Sequence, residues 1–295
     1  MTQDVRDATL PPHAAFPLEG AVPPEAAAAS PELVAQLVGL AILFGISVVS
    51  VLCLEHLLRK PGTARWWPLR FRPASAFPQW WLSIPTALLT GLTMFLVWSM
   101  PATETIDDAP MVLIIGIVSN AIVLGIMAAG ALLSIGRADR YVAAEFGHGS
   151  GRRLLAAVLA GIGVTGVGLL CSLVMVWAGY GDEHPLVKLL RNDGTPQLWA
   201  LVGLTAVVVA PLVEEMQFRV ILRGALARLV GRTAAIWISS VLFSLVHPPE
   251  VAVAVFPLGF TCAWIIDRTG SYLAAVAVHM VFNGTMLALL ALGIG

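Results

Sequence analysis

Two adjacent glutamates, Glu214 and Glu215, lie in VEEMQFR (213–219), just after a run from Leu198 to Leu212 that holds no charge. Farther along, His247 closes FSLVH (243–247) and His279 opens HMVFN (279–283), again among apolar residues. Ionisable side chains inside a membrane cost kilocalories per mole and are kept where they pair, line a wet cavity or do chemistry. A carboxylate, two imidazoles and a carboxamide make a hydrolytic set. Glu214 with His247 can hold a water and take its proton. His279 and Asn283 can donate hydrogen bonds to the oxyanion of a tetrahedral intermediate. No serine or cysteine nucleophile accompanies them, since Ser239, Ser240 and Ser244 have ordinary helix neighbours.

Spacing divides the labour. Glu214 and Glu215 stand about 100° apart on a helix and cannot face one cavity equally. Glu215 and Arg219 are i and i+4, acid first, the favourable ion-pair order, which leaves Glu214 to the cavity. His279 and Asn283 share a face one turn apart, and Phe243 stands one turn before His247. Pro211, three residues ahead of Glu214, removes an amide donor and loosens its helix. Zn²⁺ would take Glu214, His247 and His279 with an open fourth position. No carboxylate would then remain as base, and HExxH is absent. Metal-free water activation uses all four residues, so no cofactor is expected, with zinc as the alternative. Two other roles use such groups: interhelical polar contacts and the proton relay of a transporter. Transporters show two related halves, and no such symmetry is visible here.

The elements that must position these residues are membrane helices. Of 295 residues 58% are hydrophobic and 12% charged, against about 25% charged in soluble domains. The net charge of −1 favours no nucleic-acid partner. Cys53, Cys171 and Cys262 are isolated and read as packing residues. Eight apolar segments lie near 33–58, 80–100, 110–135, 153–179, 197–223, 234–247, 252–267 and 271–291, the sixth and seventh being short for a span of about 20 residues. The fold class expected is all-α, a polytopic membrane helix bundle of about eight transmembrane segments. Residues 1–32 read as a flexible extracytoplasmic tail, 33–195 as four N-terminal helices and 196–295 as the catalytic bundle. Fourteen of the 17 basic residues fall in alternate loops (59–73, 136–153, 219–233 and Arg268). That places those loops in the cytoplasm and both termini outside. Counted from the cytoplasmic helix ends, Glu214, His247 and His279 then lie at similar depths, roughly 12–20 Å.

In order, EEMQFR (EExxxR), FSLVH (FxxxH) and HMVFN (HxxxN) resemble the signature of the CPBP family, the CAAX proteases and bacteriocin-processing or immunity (Abi) proteins. The resemblance spans about 196–291, with Val220 rather than the family's frequent glycine after Arg219. It implies an intramembrane endopeptidase that cleaves a protein or peptide substrate, membrane-anchored or not, at the bilayer of a bacterial inner membrane. It also implies Glu214 and His247 as water activators and His279 and Asn283 as oxyanion donors. A non-enzymatic immunity or scaffold protein is the alternative within the same family.

Overall fold

A computed structural model describes residues 31–59, 109–134, 150–180 and 185–293 of the chain. They form eight helices: α1 (Pro31–Arg59), α2 (Ala109–Ser134), α3 (Ser150–Trp177), α4 (Pro185–Asp193), α5 (Pro196–Leu229), α6 (Arg232–Leu245), α7 (Pro249–Thr269) and α8 (Tyr272–Ala291). The expected segment at 80–100, most of the tail and most of the loops between 59 and 153 lie outside the described residues. Four helical stretches, Gly151–Trp177, Pro196–Leu229, Val251–Thr269 and Tyr272–Ala291, are long and apolar enough to cross a membrane. They are consistent with a multi-pass integral membrane protein.

α3 is the central strut, packed against α1, α7 and α8. Small residues allow the approach: Ala156, Ala157 and Ala160 are buried. A Cβ on Gly161 would meet Val281 at 2.7 Å, and one on Gly168 would meet Phe282 at 2.7 Å. Close backbone approach through small residues is how membrane helices gain packing energy without a hydrophobic drive between them. α8 is thereby fixed to the strut on the face next to its HMVFN motif.

Helix ends are set by local chemistry. Thr195 Oγ1 accepts from the Leu198 amide at 3.2 Å, with Pro196 in the first turn of α5. Gly270, in left-handed backbone at φ 66°, stops α7, and Ser271 Oγ caps α8 by accepting from the Ala274 amide at 3.1 Å. Only glycine takes that conformation without strain, so α7 can turn at once into α8.

Three boundaries differ from the sequence expectation. α7 is 21 residues long, not short, because Pro249 and Glu250 form its first turn; proline lacks only an amide that is unpaired there in any case. α5 runs to Leu229 rather than 223 because Arg223, 1% exposed, does not end the helix but turns inward to Asp267, Nη1 to Oδ1 at 3.1 Å. The 180–196 loop contains α4, whose Leu190 packs on Leu198 and Val202 at the start of α5. Arg219 is buried as well, so the charges left to the α5–α6 turn are Arg228 and Arg232.

The 20 residues of α8 measure about 30 Å, long enough to put its two ends on opposite sides of a bilayer. In a background without native cysteines, Leu229→Cys in the basic turn should label from the cytoplasmic side and Leu292→Cys from the outside. Both positions are well exposed, at 79% and 70%. Labelling of both from one side would contradict the bundle's orientation.

Candidate active site

α5 is one helix whose winding changes twice. Leu204–Val209 and Met216–Leu222 take the wider register in which an amide reaches five residues back. Such turns are rare and concentrate at functional sites. The first lies just ahead of Pro211, whose ring in ordinary α register would press on the carbonyl four residues earlier. Glu214 and Glu215 occupy the short α-helical stretch between the two wide turns, Ala210–Glu215.

Glu215 has no exposed surface and is held at both oxygens. Oε1 accepts from His279 Nδ1 at 2.9 Å, and Oε2 lies 3.1 Å from Arg219 Nε. The second contact is an ion pair rather than an aligned hydrogen bond, since Oε2 and all three guanidinium nitrogens lack hydrogen-bond geometry to any described residue. Arg219 instead spreads its charge over aromatic faces, 4.1 Å above the Phe243 ring and 5.7 Å from that of Phe218. Cation–π attraction of this kind strengthens when water is excluded. Gly259 of α7 closes the stack from behind: a Cβ there would lie 2.9 Å from Phe243 Cδ1 and 3.4 Å from Arg219 Nη2.

Glu214 is different. Its side chain keeps 18% exposure, and Oε2 stands 3.8 Å from His279 Nε2, beyond hydrogen-bond reach. His279 therefore sits between the two glutamates, bonded to one and facing the other. His247 is half-buried and bonds through Nδ1 to the Phe243 carbonyl at 2.7 Å. A carbonyl only accepts, so Nδ1 carries the proton and Nε2 of the neutral ring is left with its lone pair. The Phe243 ring lies between the histidines, with centroids 4.7 Å from His247 and 5.8 Å from His279. Asn283, also half-buried, donates from Nδ2 to the Ala206 carbonyl at 2.7 Å, inside the first wide turn.

Glu214, Glu215, His279 and Phe243 are thus in one cluster, with His247 joined to it through the phenyl ring and Asn283 tethered one turn farther along α8. Among the described residues no group of three His, Cys, Asp or Glu side chains is spaced to hold a metal ion. Glu214, His247 and His279 do not form a zinc site in this arrangement, and no step below passes through a metal.

Residues 196–285 match the family model of Rce1-like type II CAAX prenyl endopeptidases. They carry an Rce1-like endopeptidase domain. It runs from the start of α5 into α8 and contains Glu214, Glu215, Arg219, Phe243, His247, His279 and Asn283. The match suggests an intramembrane protease. No curated protein and no solved structure shows a significant match to the chain.

Side chains outside the motifs complete the Rce1-like domain. Tyr272 donates its hydroxyl to the Leu212 carbonyl at 2.6 Å, tying the start of α8 to the turn before Glu214. Asp267 receives both Arg223 at 3.1 Å and Arg232 at 2.9 Å, which locks the α5–α6 turn onto α7. An acid at the end of an apolar span with arginines in a neighbouring turn was the available sequence signal for Asp267. A phenol aimed at a backbone carbonyl 60 residues away leaves none.

Removing one partner of a buried ion pair strands the other and costs about 3–5 kcal/mol. Glu215→Gln should therefore lower the thermal midpoint of the purified protein markedly, and Arg219→Gln in that background should recover part of the loss. A midpoint unchanged in Glu215→Gln would show that the pair does not support the fold.

Proposed function

We propose that the protein is a membrane endopeptidase in which Glu214 and His247 activate water, while His279 and Asn283 stabilise the oxyanion. The observation that carries this reading is the unequal treatment of the two glutamates. Glu215 spends both oxygens on Arg219 and His279, whereas Glu214 keeps 18% of its side chain exposed, with Oε2 beside an imidazole but bonded to no described residue. A general base must have a free lone pair facing the water it deprotonates. Glu214 has one, and so has His247 at Nε2.

Peptide hydrolysis by this set runs as follows. Water between Glu214 and His247 gives up a proton as its oxygen attacks the scissile carbonyl carbon. The carbonyl oxygen takes the negative charge and receives hydrogen bonds from His279 Nε2–H and the second amide hydrogen of Asn283. Donation from both ring nitrogens requires His279 in its imidazolium form. The carbon–nitrogen bond then breaks, with the proton passing to the leaving amine. Preorganised donors act strongly where water is excluded, and the aromatic packing of Phe218 and Phe243 supplies that exclusion.

The substrate is a protein or peptide presented at the bilayer, and the membrane is the bacterial inner membrane. Farnesylated peptides ending in CAAX are the first substrates to try, because the matching family is named for them, alongside an unprenylated membrane-anchored peptide. In proteoliposomes the protein should cleave one of these, and His247→Ala should lower kcat by about 10²–10⁴-fold, the usual contribution of an acid–base group. Retention of full activity in His247→Ala would remove this histidine from the mechanism. Activity should also survive chelator treatment, with zinc below one equivalent by elemental analysis. Stoichiometric zinc, with activity lost on chelation and restored by Zn²⁺, would instead make Glu214, His247 and His279 ligands in a rearranged site.

A further inference from the structure

The two wide turns of α5 each leave a backbone carbonyl without its usual donor. At the second, the Arg223 amide reaches Phe218 O instead of Arg219 O, and the Arg223 side chain turns back to supply Nε to Arg219 O at 3.2 Å. At the first, the Ala210 amide reaches Thr205 O, leaving Ala206 O without its α-register donor. The next donor in the wide register would be the amide of residue 211. That residue is proline, which has none. Ala206 O is therefore open, and Asn283 Nδ2 of α8 takes it at 2.7 Å. A partly buried carbonyl without a donor is disfavoured, so this vacancy attracts a side-chain amide.

We propose that Pro211 is a positioning residue for Asn283. By withholding its amide it reserves the Ala206 carbonyl for one hydrogen of the Asn283 carboxamide. The other hydrogen and the carboxamide plane are thereby fixed in direction, while Pro211 itself touches no reacting atom. Pro211 is fully buried and stands three residues ahead of Glu214 on the same helix. Other residues at 211 carry an amide hydrogen that competes for Ala206 O and releases Asn283 to rotate.

The kinetic part of this inference rests on Asn283 serving as an oxyanion donor; the spectroscopic part does not. The chain has three asparagines, Asn120, Asn192 and Asn283, so ¹⁵N-asparagine labelling of the full protein in nanodiscs yields a side-chain amide spectrum assignable by substitution. In the unsubstituted protein one Asn283 carboxamide hydrogen should be protected from solvent exchange and the other not. In Pro211→Ala that protection should be lost and the signal should move. Equal exchange of both hydrogens before substitution, or an unmoved signal in a folded Pro211→Ala protein, overturns the proposal. For cleavage, Asn283→Ala should cost about 10²–10³-fold in kcat and Pro211→Ala about 10-fold or more, with KM little changed. The double variant should be within about 2-fold of Asn283→Ala, because residues acting through one contact are not additive. Losses that multiply would overturn it, since they would mean that proline acts elsewhere. Should Asn283→Ala leave cleavage untouched, the oxyanion assignment fails while the exchange measurement still decides the role of Pro211.

Discussion

A carboxylate with no exposed surface can stay ionised inside a membrane bundle only if its charge is answered on the spot. Glu215 meets that condition with two partners from two helices, Arg219 one turn along α5 and His279 on α8. Much of the domain's arrangement follows from this requirement. Arg219 in turn needs its own environment and finds it against Phe243 of α6, for which α7 makes room at Gly259. Four helices are thus drawn together around one ion pair. The arrangement trades stability for placement, since an apolar core of similar volume would tolerate more variation in where α8 sits.

The same constraint determines what Glu214 can do. With His279 tied at Nδ1 to Glu215, its remaining nitrogen is directed toward Glu214 and the open side of the cluster. His247 is oriented by its own backbone carbonyl contact at Phe243 O, which presents the other nitrogen outward. Each imidazole therefore has one nitrogen used for orientation and one turned away from that contact. Phe243 lies between them, close enough to both rings to exclude solvent from their inner faces. The wide turns of α5 add the third element. They bring the paired glutamates onto a short regular stretch whose flanking carbonyls are answered by side chains, Asn283 before and Arg223 after.

Much of the helical layout was legible because hydrophobic length dominates in membrane spans. The expected 33–58, 110–135, 153–179 and 271–291 lie within a few residues of α1, α2, α3 and α8. Prediction failed where a polar residue was read as a boundary but was in fact buried or tolerated: Arg223 inside α5, and Pro249 with Glu250 in the first turn of α7. α4 escaped because nine residues are too few for periodicity to stand out beside Lys188 and Arg191. At the site, the Glu215–Arg219 spacing is a property of one helix and can be read directly from sequence. The hydrogen bond between Glu215 and His279 joins residues 64 apart, and helix spacing alone does not reveal which glutamate an imidazole will choose. The loss of an amide at Pro211 was visible. Its consequence, an open carbonyl taken by Asn283, depends on the change of register and on α8 lying alongside.

The division between the two glutamates is tested most directly by single-turnover cleavage with Glu214→Gln protein in proteoliposomes, beside its thermal midpoint. The amide keeps the shape of Glu214 and removes its basicity, and because Glu214 holds no ion pair within hydrogen-bond reach, the fold should be unaffected. The expected result is a midpoint close to that of the unsubstituted protein, with the rate of peptide-bond cleavage reduced by about 10²–10⁴-fold. Cleavage at the original rate in a fully folded Glu214→Gln protein would contradict the assignment of Glu214 as the base and leave that role to His247.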